Sequence, residues 1–382
     1  MSNKIFISCG EYSGEIHASH VVNELKKINS DIEIFAFGSQ LLKQQGVELI
    51  ADYKDASFSG ISEVIQNLGK ILDLQKQIIA KILEIKPSII LLVDYGGFNL
   101  KLAKAIKSNT NEAYNPIIID FIAPQIWASR PWRINNIKRY VDLVLCTLPF
   151  EQEIYSKANI NHIYVGNPVL ASLKQAATKE SCNFDKNEII IGLFPGSRKS
   201  EIQYMLPIMI EASKIIKEHI PRIKFILAKA ASISNETLIQ NGIQKATWIE
   251  IRENFNHELL SAADFLWLCS GTVTLEAALY TTPYFLAYKS NWLNYQIYKL
   301  IKTINMAGLA NIIAEKYLVK EFLQYDANVN NFVNETLGMF GSDFGFSDQY
   351  IKIKNNLIQF KQSLSGNDTY TLVAKAIIER LS

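Results

Sequence analysis

Short runs that are apolar at almost every position constrain this chain more than any other feature. SIILLV (88–93), IIIDFIA (117–123), LVLCTL (143–148), IIIGLF (189–194), FILAKA (225–230) and FLWLCS (265–270) are such runs; the first four break off at Asp or Pro and the last ends in Ser. Runs of this length are strands, and strands apolar on both faces belong inside a parallel sheet covered by helices on each side. IFIS (5–8), IEIFAFG (32–38) and HIYVG (162–166) add further strands, and segments of helical period lie between. Alternating strand and helix is the α/β pattern. Residues 171–187 interrupt it with polar, turn-rich text, after which the alternation starts afresh. At 382 residues the chain also exceeds what one core usually supports. Two α/β domains are expected, 1–170 and 186–350, joined by that linker.

Bulk properties narrow the class. Hydrophobic residues make up 48% and charged ones 20%, a globular balance. With 39 basic and 37 acidic side chains, a net charge of +2 gives no field to gather nucleic acid. Cys9, Cys146, Cys182 and Cys269 are scattered, without zinc-type spacing, and read as core residues in a reducing compartment. No window approaches the roughly 18 apolar residues that span a bilayer, and the first strand follows Met1-Ser2-Asn3-Lys4 too closely for a secretory signal. The expectation is a cytoplasmic protein that touches a membrane from outside if at all.

Three turns carry the chemistry. IIIGLF stops at Pro195-Gly196-Ser197-Arg198 before a helical pattern, and such a turn aims N–H groups and a helix dipole at one point, with an arginine fork beside it. FLWLCS stops at Ser270-Gly271-Thr272, with Glu276 one helical turn further on, suited to the hydroxyls of a ribose. Together the two turns imply a nucleoside diphosphate. SIILLV ends at Asp94, a carboxylate where open α/β sheets place ligands, and equally suited to cap the next helix. The first turn, GEYSGE (10–15), fits neither GxGxxG nor a Walker A loop, so a dinucleotide site is not expected. A loop mixing arginine and tryptophan (124–133) follows the 117–123 strand and suits a second anionic group. Ile61, Val64, Ile65, Leu68, Ile71 and Leu72 form one helical stripe, either core or a contact with lipid and acyl chains. The aromatic, lysine-containing 291–305 segment is a second candidate for such a contact.

In this order the motifs resemble the lipid-A-disaccharide synthase family of GT-B glycosyltransferases. The matching text is GEYSGE (10–15), GISEV (60–64), VDYGGFN (93–99), APQIWASR (123–130), DLVLCTLPFE (142–151), PGSR (195–198), SGTVTLE (270–276) and LANIIAEKYLVKEFLQ (309–324). The resemblance implies two Rossmann-like domains facing across a cleft, with the final helix (366–382) crossing back to complete the first. It implies an inverting transfer of 2,3-diacylglucosamine from UDP-2,3-diacylglucosamine to 2,3-diacylglucosamine 1-phosphate, at the cytoplasmic surface of the inner membrane. Asp94 stands at the family's catalytic aspartate and Arg198 at the arginine on the donor pyrophosphate. Gly196, Ser197, Ser270, Gly271, Thr272, Glu276 and Asn311 fall on the UDP-sugar side, and Glu11, Ser13, Glu15, Trp127 and Arg130 are acceptor-side candidates.

Departures from the family pattern are Glu15 and Gly97 where many members have aspartate, Ser129 for tryptophan and Ala310 for proline. Asp94 is thereby the one acid of its turn. No Asp-x-Asp pair exists to hold a divalent metal, so no metal or other cofactor is expected. The alternatives are another UDP-sugar GT-B enzyme, such as a UDP-N-acetylglucosamine 2-epimerase, and a noncatalytic nucleotide-sugar binding protein. Acyl-chain length and oligomeric state, a homodimer included, stay open.

Overall fold

The computed structural model describes residues 3–53, 68–127, 130–292, 295–296, 305–341, 345–364 and 368–381. The chain divides into two compact units, Met1–Ala171 with Gly366–Ser382, and Ser172–Ser365.

Among the described residues, the first unit holds seven parallel strands: β1 (Lys4–Cys9), β2 (Glu33–Gly38), β3 (Glu48–Asp52), β4 (Ile89–Val93), β5 (Ile117–Phe121), β6 (Leu143–Cys146) and β7 (His162–Tyr164). Their order is β3-β2-β1-β4-β5-β6-β7. Every residue of β4 is buried, because helices cover both faces. On one face Ile5, Ile7 and Val93 pack with Val21, Val22 and Leu25 of the helix Tyr12–Ile28 and with Val373 and Ile377 of the last helix, Thr369–Leu381. On the other, Phe6, Ile90 and Leu92 meet Ile78 and Ile82 of the helix Leu68–Ile85, and Phe98 and Leu102 of the helix Gly96–Ser108.

In the second unit six parallel strands are described: β8 (Ile189–Phe194), β9 (Ile223–Lys229), β10 (Ile249–Glu253), β11 (Phe265–Cys269), β12 (Tyr284–Tyr288) and β13 (Glu321–Leu323). Their order is β10-β9-β8-β11-β12-β13. Trp267, Phe225, Phe285 and Phe332 stack into the centre of its core. Of the stretch expected to be the interdomain linker, residues 172–187 belong to this unit. Cys182 and Phe184 are buried, the Phe184 ring lies under the Arg252 guanidinium at 4.7 Å, and Lys179 pairs with Asp264 at 2.7 Å.

In both sheets the order of strands reverses once, between β1 and β4 and between β8 and β11. The crevice outside the carboxyl ends of the strands at such a switch point is where doubly wound sheets hold ligands. Asp94 follows β4, and the two anion-type turns follow β8 and β11.

Candidate active site

At the β1/β4 switch point the chain adopts a backbone that L residues rarely take. Asp94 and Tyr95 have φ of +52° and +55°, a left-handed pair of the kind that clusters at functional sites. Asn99 holds it. Buried, it donates to the carbonyls of Ser8, Val93 and Asp94 and accepts from Ser8 Oγ at 2.7 Å, tying the ends of β1 and β4 together. The half-buried Asp94 carboxylate accepts from the Tyr95 N–H at 2.8 Å through Oδ1 and from Ser13 Oγ at 3.3 Å through Oδ2. Gly14 lets the first helix close on it, since a Cβ there would lie 3.3 Å from the Asp94 Cβ and from the Val93 carbonyl.

Neighbouring residues differ in how they are held. Glu11 is exposed at the N-cap position of the first helix. Trp127 is half-buried, its Nε1 donating to Glu151 Oε1 at 3.1 Å and its ring edge-to-face with Phe150 at 5.2 Å. Glu151 also accepts the N–H groups of Thr147 and Leu148, each at 3.1 Å, and so fixes the turn after β6. Arg130 is exposed with φ of +55°.

Glu15 does not face the crevice. It is 1% exposed, with Oε1 accepting from the N–H groups of Ser39, Leu41 and Leu42 and Oε2 from Tyr53 Oη at 2.8 Å. It anchors the start of the short helix Gln40–Gln44.

In the second unit, Ser270 Oγ, Thr272 Oγ1 and the Glu276 carboxylate meet no hydrogen-bond partner among the described residues, at the start of the helix Val273–Tyr280. Burial raises the Glu276 carboxyl above the ordinary range, and the charge of nearby His257 opposes the rise. His257 itself keeps a buried Nδ1 without a partner. Two hydroxyls and a carboxylate thus flank one helix start, with the imidazole within electrostatic reach of the carboxylate.

The turn after β8 is not open in the expected way. Glu201 Oε2 accepts from the N–H groups of Ser197 at 2.8 Å and Arg198 at 3.1 Å, so the amides offered to a phosphate are already occupied. The Ser197 hydroxyl and the Arg198 side chain are exposed.

Against this geometry, the family model described as lipid-A-disaccharide synthetase matches residues 5–362. The chain belongs to the lipid-A-disaccharide synthetase family. A Legionella pneumophila protein named lipid-A-disaccharide synthase 1 is 33% identical over 370 residues, 96% of this chain and 94% of that protein. The lipid-A-disaccharide synthase of Geobacter sulfurreducens is 28% identical over 384 residues, 100% of this chain and 98% of its own. Among solved structures, a UDP-N-acetylglucosamine 2-epimerase from Listeria monocytogenes superposes with a TM-score of 0.63 at 13% identity, covering 100% of this chain and 96% of that one. Acinetobacter baumannii MurG gives 0.58 at 13% identity, covering 99% and 100%. At such identities the likeness concerns the fold, which is of the GT-B class. The resemblance read from the motifs is therefore correct, and the chain is a glycosyltransferase of lipid A biosynthesis.

Within the lipid-A-disaccharide synthetase frame, Asn311 is held by the fold itself. It is fully buried, donating to the Val319 carbonyl and Glu321 Oε1 and accepting from the N–H groups of Leu318 and Val319. With its amide engaged at both ends it holds the chain before β13.

Asp120 went unnoticed in the sequence, inside an apolar strand. It is 2% exposed and its Oδ2 has no hydrogen-bond partner, as is also true of the buried Tyr155 hydroxyl. Burial, reinforced by the charges of Asp94 and Glu151, pushes its carboxyl up to about 8.

Of the lipid-facing stripe, Ile61, Val64 and Ile65 lie outside the described residues, as do the side chains of Leu68 and Ile71 and most of 291–305, while Leu72 is exposed. Among the described residues no helix is long and apolar enough to cross a membrane.

Proposed function

We propose that the chain joins UDP-2,3-diacylglucosamine to 2,3-diacylglucosamine 1-phosphate, giving the β(1→6) disaccharide 1-phosphate and UDP. Asp94 is the general base. It takes the proton of the acceptor 6-hydroxyl as that oxygen bonds to the anomeric carbon and the bond to the diphosphate oxygen breaks on the opposite face. One displacement of this kind inverts the centre. Arg198 and the Ser270–Thr272 helix start neutralise the diphosphate, a preorganised electrostatic role, and Glu276 receives the ribose hydroxyls. The observation that carries the reading is Asp94 itself, a carboxylate in left-handed backbone at the switch point of a lipid-A-disaccharide synthetase chain. Because both substrates carry acyl chains, the enzyme works at the cytoplasmic face of the inner membrane as a peripheral protein.

Incubation with both substrates and mass spectrometry for the disaccharide tests the activity. Asp94→Asn is expected to lower turnover by about a hundred- to ten-thousand-fold, the usual worth of a positioned base. UDP binding, followed by calorimetric titration, should persist. An active Asp94→Asn enzyme removes the aspartate from the mechanism. Conversion of UDP-N-acetylglucosamine to its 2-epimer without disaccharide would instead favour the epimerase reading.

A further inference from the structure

The reading of Arg198 as the diphosphate ligand leaves unexplained why the turn beside it is filled by a carboxylate of its own. We propose that Glu201 is the positioning residue for Arg198: it closes the Pro195–Arg198 turn against anions and directs the donor diphosphate to the guanidinium instead. This rests on the role given to Arg198 above and adds the residue through which that role is set.

Glu201 is 5% exposed, at the third position of the helix Lys199–His219. Both its oxygens are engaged, Oε2 by the N–H groups of Ser197 and Arg198 and Oε1 by Arg198 Nη1 at 2.8 Å. The turn is shaped around this carboxylate. Gly196 has φ of +119°, and a Cβ there would stand 2.5 Å from both Cβ and Oε2 of Glu201, so no other residue fits without moving the acid. A phosphate oxygen seeking the same amides would have to expel a buried charge from three donors. Such a charge is stable only while paired. The exchange is unfavourable, and the amides stay with Glu201.

The arginine side chain projects beyond this closed turn. It is 77% exposed while that of Glu201 is 6% exposed, so the pair has a fixed end and a presented end. Ser232 Oγ donates to the Ser197 carbonyl at 2.7 Å and pins the turn from the other side. The pair follows β8, whose hydrogen-bonded neighbour β11 leads into Ser270. A bond to a carboxylate at one nitrogen fixes the plane of a guanidinium, and a fixed plane loses less freedom when it grips a phosphate.

The test is a double-mutant cycle in the full-length enzyme, reading the KM for donor and for acceptor, kcat, and the thermal midpoint. Glu201→Gln keeps the shape and one acceptor oxygen but turns an NH2 group toward Arg198. It should raise the donor KM about tenfold, the worth of one charge-assisted hydrogen bond, with acceptor KM unchanged. In an Arg198→Ala background the same substitution should change donor KM by less than about twofold, because a residue acting through Arg198 has nothing left to position. Effects that multiply, or an unchanged donor KM in Glu201→Gln, overturn the proposal. A lowered donor KM does so too, because it shows the carboxylate competing with the diphosphate for the amides. Arg198→Ala alone is the separate control: if its donor KM is unchanged, the reading of Arg198 fails whatever Glu201 does. Should Glu201→Gln not fold, Glu201→Asp, too short to reach both the amides and Nη1, is read by the same outcomes.

Discussion

Asp94 and Asp120 stand on neighbouring strands and are held in opposite ways. Asp94, just past β4, is half-buried with a main-chain N–H and a hydroxyl on its oxygens. Asp120, within β5, is buried with one oxygen unpartnered. Burial raises the Asp120 carboxyl from 3.8 to about 8, and the sign of its effect follows. In the unfolded chain the group ionises near pH 4, whereas in the folded protein it stays protonated until about pH 8. Stability from this group is therefore complete below pH 4, is lost as the pH rises from about 4 to about 8, and changes little beyond. Asp120→Asn removes that dependence. Its thermal midpoint relative to the parent should rise between pH 5 and pH 9, by at least about 2 °C, the shift expected for about 1 kcal/mol in a unit the size of the first one. Parallel midpoint curves would show that the folded protein tolerates the charge. No period betrays such a residue in the sequence. An acid inside IIIDFIA reads as a lapse in an apolar run until the strand's neighbours are known. Glu201 was more accessible, because an acid three residues into a helix is a capping signal.

At the scale of elements, legibility tracked burial. Strands covered on both faces, such as β4, β8 and β11, announce themselves as unbroken apolar runs. Of the four strands that the sequence did not reveal, β3, β10 and β13 lie at sheet edges, where one side is wet and the pattern is mixed, whereas β12 is the exception, an interior strand buried from Tyr284 to Ala287. In the 171–187 stretch the text is polar, and the two buried side chains that dock it, Cys182 and Phe184, are too few to show a period. The last helix docks through a particular contact as well as through apolar area. Tyr370 Oη donates to the Pro168 carbonyl at 3.2 Å and lies 2.9 Å from His17 Nδ1, with the His20 ring stacked on it at 4.7 Å. Burial, helped by the charge of His20, lowers His17 to about 4. Its ordinary value is 6.5, so the stability it lends is present above pH 6.5 and is lost as the pH falls toward 4. Tyr370→Phe should cost about 1 kcal/mol at pH 7 through the lost hydrogen bonds. His17→Gln should flatten the acid limb of the midpoint-versus-pH curve. An acid limb identical to the parent's would mean that His17 gains its proton without loosening the helix.

For the whole molecule, the order of the chain and the order of assembly differ. The second unit is one continuous segment, Ser172–Ser365, whereas the first is built from Met1–Ala171 and Gly366–Ser382. Its sheet is complete without the tail, but one covering layer is not. Val373, Ala374 and Ile377, all at 0% exposure, close the core that Val21, Val22 and Leu25 begin. Removing residues 366–382 uncovers that face, at about 1.5–3 kcal/mol for each large apolar side chain left wet, against a total stability of roughly 5–15 kcal/mol. The first unit should then lose its cooperative transition in calorimetry, while the second keeps the transition of the isolated 172–365 segment. If the donor-side residues act as proposed, the truncated chain still binds UDP through Arg198, Ser270 and Glu276, all in the second unit, yet transfers nothing, because Asp94 belongs to the unit that has come apart. A truncated chain that melts like the parent would mean that the last helix rests on a core already sufficient without it. Loss of UDP binding along with turnover would mean that the donor grip depends on the first unit as well.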